Sequence, residues 1–473
     1  MPDKYQIVVA GAGPGGCIFA RDLARAGLDV VVFEKQNRDA LGHNWSDAVE
    51  RIALQAIGID VPAEDTVNRG PLVKKAGMEG RPSAIFEEHA YPDMEVWAPD
   101  YCCKKEIQFR YITTDRRALA QLLVDQAMAA GVTFRFRQEV IAPVTAGGSS
   151  LSEISVTGIE VRDLDTHLTT TVSASVTADD TGFASVLRTA LPVETGIARP
   201  FTEDEFALVH RTVRKRDPSK IAGDRITDHY RYPYRTGYQW VQTLNEEEID
   251  IGAGIKFNAD TQGPQETVER FIARHPSITG TVVRGGGGRC LVGRSPYSLV
   301  AGGFVIIGDA GSQTIPMTGC GAGGAMIGGK LAAKAVIRAA AEGKTDIAAL
   351  WPYNLDWVVG SGRGANYAAL TALRSILQKL PEESNAFLFK KDVFSGEMLT
   401  QSINGLFQAP TLPLMVKTFV RCLTRPGLLM QLNKATTLGT ALYKHYQRYP
   451  ANWNPDIFQQ WCRTSDRLFS KAE

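Results

Sequence analysis

The residues with the clearest chemistry open the chain. Gly11-Ala-Gly13-Pro-Gly-Gly16 follows directly on the apolar run Ile7 to Ala10. Helical spacing then runs from Cys17 to Ala26, Gly27 stops it, and Leu28 to Phe33 forms a second apolar run ending in Glu34. Gly11 permits a tight turn, Gly13 lets backbone approach a pyrophosphate, and Gly16 allows close helix–strand packing. The helix N-terminus would receive the phosphate charge. Glu34, 18 residues after Gly16, is placed to accept hydrogen bonds from a ribose. An ordinary glycine-rich turn is the plain alternative, but strand, glycines, helix, strand and acid all occur in register. The segment predicts dinucleotide binding and does not separate a flavin dinucleotide from a nicotinamide one.

Two later groups bear on that choice. Val176-Thr-Ala-Asp179-Asp180-Thr181-Gly182 leads into Ser185, Leu187 and Arg188. Read alone it is a strand end and a turn, since Asp-Thr-Gly is good turn chemistry. Phe304-Val-Ile-Ile-Gly308-Asp309-Ala310-Gly311 is an apolar strand running into Gly-Asp. Ile315-Pro316-Met-Thr-Gly319-Cys320-Gly321 then opens a small-residue helix through Ala340. Between these groups and the first, Asp115-Arg116-Arg117 opens an amphipathic helix through Ala130, and a strand from Val132 to Phe136 leads to Glu139-Val140. In this order the motifs resemble those of the para-hydroxybenzoate-hydroxylase-like FAD superfamily. The resemblance implies FAD as cofactor, with Arg116 near the flavin and Asp180 and Gly182 in an Asp-Gly motif. It implies that Asp309, beside Gly308, holds ribityl hydroxyls, and that Pro316, Gly319 and Gly321 lie where the helix N-terminus meets the flavin. Lys35 and Val140 join the cofactor set on the same ground. The plain alternatives are an exposed helix-start charge for Arg116 and a buried packing helix after Gly321.

The substrate clue lies in Gly237-Tyr238-Gln-Trp240-Val-Gln-Thr243, which alternates as a strand. Asn245 to Glu248 makes an acidic turn, and Ile249-Asp-Ile-Gly-Ala-Gly-Ile255 returns as its partner. This pattern looks like the geranylgeranyl reductases, in which the Tyr-x-Trp residues line a lipophilic cavity over the flavin. Aromatics give flat apolar walls and, at Tyr238, a polar handle; ordinary sheet-core packing is the alternative. The sequence departs from that family where its Cys-Gly pair would stand, reading Leu41-Gly42-His43-Asn44-Trp45 instead. His43 fits a proton donor beside the flavin or a hydrogen-bonded structural residue, and the second is favoured. Tyr238, Trp240 and His43 are the catalytic candidates. The expected reaction is saturation of C=C bonds in a lipophilic, isoprenoid substrate, with NAD(P)H or a ferredoxin-like donor as reductant. A monooxygenase or halogenase acting on an aromatic or lipophilic molecule is the alternative. Gly237-Tyr-x-Trp240 partly matches the halogenase motif, and Lys74 and Lys75 are its only candidate lysines.

These groups need a scaffold, and composition bounds it. The chain has 473 residues, with 52 Lys and Arg against 51 Asp and Glu. That balance excludes a general nucleic-acid binder. No run of 18 apolar residues occurs, so a membrane-spanning helix is not expected, and the N-terminal apolar stretch is too short for a signal peptide. Seven scattered cysteines without Cys-x-x-Cys spacing suggest free thiols, a cytoplasmic location and no metal site. Of 45 glycines, 15 fall between Gly285 and Gly329; Gly285 to Gly288 read as a flexible connector. The expected fold class is α/β. A Rossmann-like FAD-binding domain of the glutathione-reductase type, discontinuous over 1–190 and 286–345, is interrupted by an antiparallel β-sheet substrate domain over 191–285. A C-terminal helical region, 346–473, follows, with helices at 348–359, 365–380, 410–423 and 428–446. Residues 401–473 hold nine Lys and Arg against three Asp and Glu. That excess suits a solvated cap over the substrate cavity or contact with the periphery of a membrane.

Overall fold

The computed structural model describes residues 4–61, 86–90, 94–108, 110–227, 229–234, 237–256 and 263–472. Lys74 and Lys75 lie outside them. Lys4–Ala10 forms the central strand of an eight-stranded sheet. Its last four residues are fully buried, as a parallel strand covered on both faces requires. Val30–Glu34 pairs parallel with one side of it and Thr169–Asp179 with the other. Phe304–Ile306 then pairs parallel with Thr169–Asp179, so the sheet is completed by chain that returns after a long excursion. Gln138–Ala146 and Ser155–Asp163 add an antiparallel flank.

The helix Pro14–Arg25 begins at Gly13 with proline in its first turn and no side-chain cap. Its packing partner is the helix Ala322–Ala341. The contact is close because Gly329 sits where a Cβ would fall 2.2 Å from the carbonyl oxygen of Gly15. The helix Arg116–Ala129 has a better start, since the Asp115 carboxylate accepts from the backbone N–H groups of Arg117 and Ala118 at 2.9 and 2.8 Å.

A second sheet has seven strands, in the order Ile278–Leu291, Phe206–Arg216, Glu248–Lys256, Gly237–Thr243, His229–Tyr234, Met94–Trp97 and Lys104–Ile107. Two departures from the sequence reading stand out. Gly285 to Gly288 are not a flexible connector but the middle of the strand Ile278–Leu291, paired with Thr212 to Val209. Backbone hydrogen bonds to a long partner strand outweigh the weak strand preference of glycine here. This strand runs through the expected boundary at 285/286. The sheet also recruits Met94–Trp97 and Lys104–Ile107 from far upstream, the former pairing in parallel with His229–Tyr234.

The C-terminal region is helical. The expected helix at 348–359 is instead broken into Ile347–Leu350, Pro352–Leu355 and a wide turn over Asp356–Gly360. Pro352 lacks the N–H that a continuous helix needs. Both tryptophans of this stretch, Trp351 and Trp357, are core residues, and Trp351 Nε1 donates to the carbonyl of Pro450 at 2.8 Å. Arg363–Leu377 packs along Pro426–Tyr446. The helices Glu382–Lys390, Gly396–Ile403, Leu412–Cys422 and Pro455–Phe469 complete the region.

Candidate functional site

One cavity of about 1060 Å3 joins these parts. It stands at the upper end of the roughly 300–1,000 Å3 usual for a ligand pocket. At one end it is lined by Gly13, Pro14, Asp180, Gly182, Gly308 and Asp309. Tyr238 and Trp240 form part of its middle. Its far end is lined by Leu377, Phe389, Phe394, Leu399 and Leu432 from the C-terminal helical region.

The end at Gly13 is bare backbone for a physical reason. A Cβ at Gly13 or Gly16 would lie 2.5 Å from the Asp180 carboxylate, and one at Gly11 would lie 2.3 Å from the Asp180 carbonyl oxygen. Gly11 also adopts φ +100°, which a side chain would strain. Burial raises the Asp180 carboxyl well above the usual carboxylate range, while the Gly16 and Gly13 N–H groups pull the other way. Its neighbour Asp179 instead fixes the turn, its carboxylate accepting from Arg188 N–H at 2.8 Å and from Thr181 N–H at 3.1 Å. Glu34, buried, accepts from Ala12 N–H at 2.9 Å and Gln36 N–H at 2.8 Å.

The second helix start also faces the cavity. The helix Ala322–Ala341 begins at Gly321 without a side-chain cap, and Pro316, Gly319 and Gly321 line the cavity beside it. A Cβ at Gly321 would come 3.0 Å from Asp309 Oδ1. Burial pushes the Asp309 carboxyl up, opposed by the Thr314 hydroxyl donating at 3.1 Å and by Arg116. Two uncapped helix N-termini and a buried carboxylate thus converge on one space, a donor set suited to an anionic, hydroxyl-bearing dinucleotide.

Of the residues singled out from sequence, Gly13, His43, Arg116, Asp180, Gly182, Tyr238, Trp240, Gly308, Asp309, Pro316, Gly319 and Gly321 line this cavity. Gly11, Gly16 and Glu34 do not line it; Glu34 supports the glycine turn through Ala12. Lys35 is exposed and Val140 is buried in the antiparallel flank, and neither lines the cavity. His43 is not the hydrogen-bonded structural residue that its sequence context favours. It stacks on Trp45 with ring centroids 4.3 Å apart and makes no hydrogen bond among the described residues. Its ring is exposed toward the cavity, and partial desolvation, then Arg116, lowers its pKa, which favours the neutral imidazole. The Tyr238 hydroxyl donates to the carbonyl oxygen of Thr318, just before the glycines of the helix start.

Sequence reasoning missed the charges under the aromatic wall. Arg211 forms ion pairs with buried Asp250 and with Asp47, and its guanidinium lies 5.8 Å from the Trp240 ring centroid. Burial raises Asp250 in spite of Arg211. An arginine and an aspartate at inward positions of paired strands were the available signal. Cys290 and Cys320 also line the cavity. Burial pushes both thiols up, Cys320 to about 12, so both are protonated at neutral pH.

Comparison with known proteins agrees with this architecture. Residues 9–63 match an NAD(P)-binding Rossmann-like domain family. A digeranylgeranylglycerophospholipid reductase of Sulfolobus acidocaldarius is 23% identical over 99% of this chain and 98% of its own length. One from Methanosphaerula palustris is 27% identical over 76% of this chain and 83% of its own. Among solved structures, a geranylgeranyl bacteriochlorophyll reductase-like protein from Thermoplasma acidophilum superposes with a TM-score of 0.69 at 15% identity, over 92% of this chain and 100% of that one. A flavin-dependent brominase shares the fold at a TM-score of 0.56 and 16% identity, over 98% and 99% of the two chains. Along nearly its whole length the chain is similar to a digeranylgeranylglycerophospholipid reductase, and it shares its fold with a geranylgeranyl bacteriochlorophyll reductase-like protein.

Proposed function

We propose that the protein binds FAD and reduces C=C bonds of a geranylgeranyl-type isoprenoid lipid. The observation that carries this reading is the single cavity running from the dinucleotide turn at Gly13, past Tyr238 and Trp240, into the apolar helices at Phe389, Phe394 and Leu399. Gly13 and Pro14 would receive the pyrophosphate, Asp309 the ribityl hydroxyls, and Arg116 would lie near the ring. Bound FAD, once reduced, supplies two electrons as hydride to one alkene carbon; the other carbon takes a proton, giving CH–CH. Tyr238 and Trp240 would orient the chain and exclude water. The Tyr238 hydroxyl, or water held near it, would pass the proton. His43, being neutral, would serve as a relay rather than as a standing acid. NAD(P)H or a ferredoxin-like protein would restore the electrons.

The test uses full-length protein reconstituted with FAD and reduced anaerobically with dithionite. A geranylgeranyl phospholipid should gain two mass units per bond reduced. An unchanged lipid mass with fully reduced, flavin-loaded protein overturns the reading. Halide-dependent product with oxygen instead would place the protein with the brominase-like reading.

A further inference from the structure

We propose that the helix Leu412–Cys422 is a docking element that seats the cavity mouth on an anionic lipid bilayer. In an ordinary surface helix the apolar stripe faces the core and the charges face water. Here the orientation is reversed. Leu412, Met415, Val416, Phe419, Val420 and Leu423 recur at the spacing of one helical face, and all are exposed, by 48% to 73%. Only Cys422 within the helix is buried. The other side carries Lys417 and Arg421, which hold the Asp392 carboxylate at 2.8 and 3.1 Å, with Lys105 joining at 2.7 Å. The helix is thus fastened to the protein by its charges and turns its apolar face outward.

The patch is continuous with the site. Met415, Val416 and Phe419 line the cavity as well as being exposed, and so does Met430, 72% exposed, on the next helix. These side chains therefore form the rim of the mouth. Charge selects the occupant. Between Glu397 and Asp456 there is no acidic residue, while Lys417, Arg421, Arg425, Lys434, Lys444 and Arg448 all fall in that interval. A second copy of this chain would bring the same cations to the contact. A bilayer with anionic headgroups complements them and accepts the apolar stripe at once. The helix is too short to cross, and no described helix is long and apolar enough to do so. It would lie in the interface plane. This deepens the proposed function and rests on it for what enters the mouth: an isoprenoid chain would pass from the bilayer interior into the cavity without crossing water.

The experiment compares the flavin-loaded wild type with L412S/V420S/L423S, whose three positions do not line the cavity, and with K434E. Each is sedimented with phosphatidylcholine vesicles with and without phosphatidylglycerol. Wild type should bind the anionic vesicles, and less so at high salt. The triple variant should lose at least about tenfold in vesicle affinity, the ordinary effect of keeping large apolar side chains in water. Its melting temperature and its turnover of detergent-dispersed lipid should be unchanged, while turnover of vesicle-embedded lipid falls. K434E should weaken binding to anionic vesicles only. The proposal is overturned if wild type ignores anionic vesicles, if the triple variant binds as well as wild type, or if the patch is covered by a second copy in solution. If binding behaves as expected and no form reduces any isoprenoid lipid, the docking surface stands and the isoprenoid reading falls.

Discussion

Gly252→Ala tests the aromatic wall. Gly252 pairs directly across from Trp240, and a Cβ there would lie 1.9 Å from Trp240 Cζ2 and 2.3 Å from Cε2. The glycine is bare so that the indole can lie flat upon it. Its backbone is ordinary strand, so the ring contact alone decides the outcome. To regain even a tight contact of 3.4 Å the ring edge must retreat by at least 1.5 Å, the difference from 1.9 Å. Space for that retreat lies on the cavity side, since Trp240 lines the cavity. Overpacking typically costs about 1–3 kcal/mol, and removing a glycine from the unfolded chain returns about 0.4–1 kcal/mol. Net destabilisation should therefore be small, about 0–2.5 kcal/mol, and a thermal melt would register it. Turnover should suffer more, since a misplacement of about 1 Å can cost about 100-fold. The expected result is a fall of about 10- to 100-fold in kcat/KM for the isoprenoid lipid, with partial recovery in the Gly252→Ala/Trp240→Phe double variant. A single variant with wild-type kcat/KM would show that the indole position is immaterial and refute the argument.

Two further outcomes follow from the charges. Asp309→Ala should retain flavin about 10- to 150-fold less tightly, as expected for a lost hydrogen bond to a charged group of about 1.5–3 kcal/mol, and equilibrium dialysis reads this directly. Lys105, then Lys417, then Arg421 hold the Asp392 carboxyl well below the usual carboxylate range. A depressed carboxylate contributes stability that is present above its unfolded pKa near 4 and is lost as pH falls toward its folded value. Asp392 is 41% exposed, so the contribution should be modest, about 1 kcal/mol or less. The protection factor over 412–422, taken relative to the intrinsic exchange rate at each pH, should fall on going from pH 6 to pH 3, and Asp392→Asn should show the lower protection at both.

The parts legible in sequence are those whose geometry is local. The turn Gly11–Gly16 and the Gly308–Asp309 corner each arise within a few residues, where glycine dictates the backbone, and Asp115 likewise caps its own helix locally. The seven-stranded sheet is only half legible, because Met94–Trp97 joins it through a partner more than 130 residues away. No local pattern announces such a pairing. Gly285 to Gly288 mislead for a related reason: the glycines carry no strand signal, and the partner strand Phe206–Arg216 supplies it. The Arg211–Asp250 pair stays hidden when strand alternation is followed through apolar residues only. Tyr238 and Trp240 stand out because a family pattern marks them, whereas the stack of His43 on Trp45 depends on a loop conformation that spacing does not encode.

The order in which the central sheet closes has a consequence for synthesis. Lys4–Ala10 and Thr169–Asp179 can pair early, but Phe304–Ile306, which completes that edge and carries Asp309 to the site, emerges only after the whole second sheet. The cavity walls at Phe389 and Leu432 follow later still. Pairings of such long range form slowly. A nascent chain therefore holds an open cradle until these segments have emerged, and the proposed flavin could be held tightly only after that. Cofactor occupancy in a purified preparation would then count the molecules that finished both translation and closure, and a chain cut anywhere before residue 304 would come off the ribosome colourless.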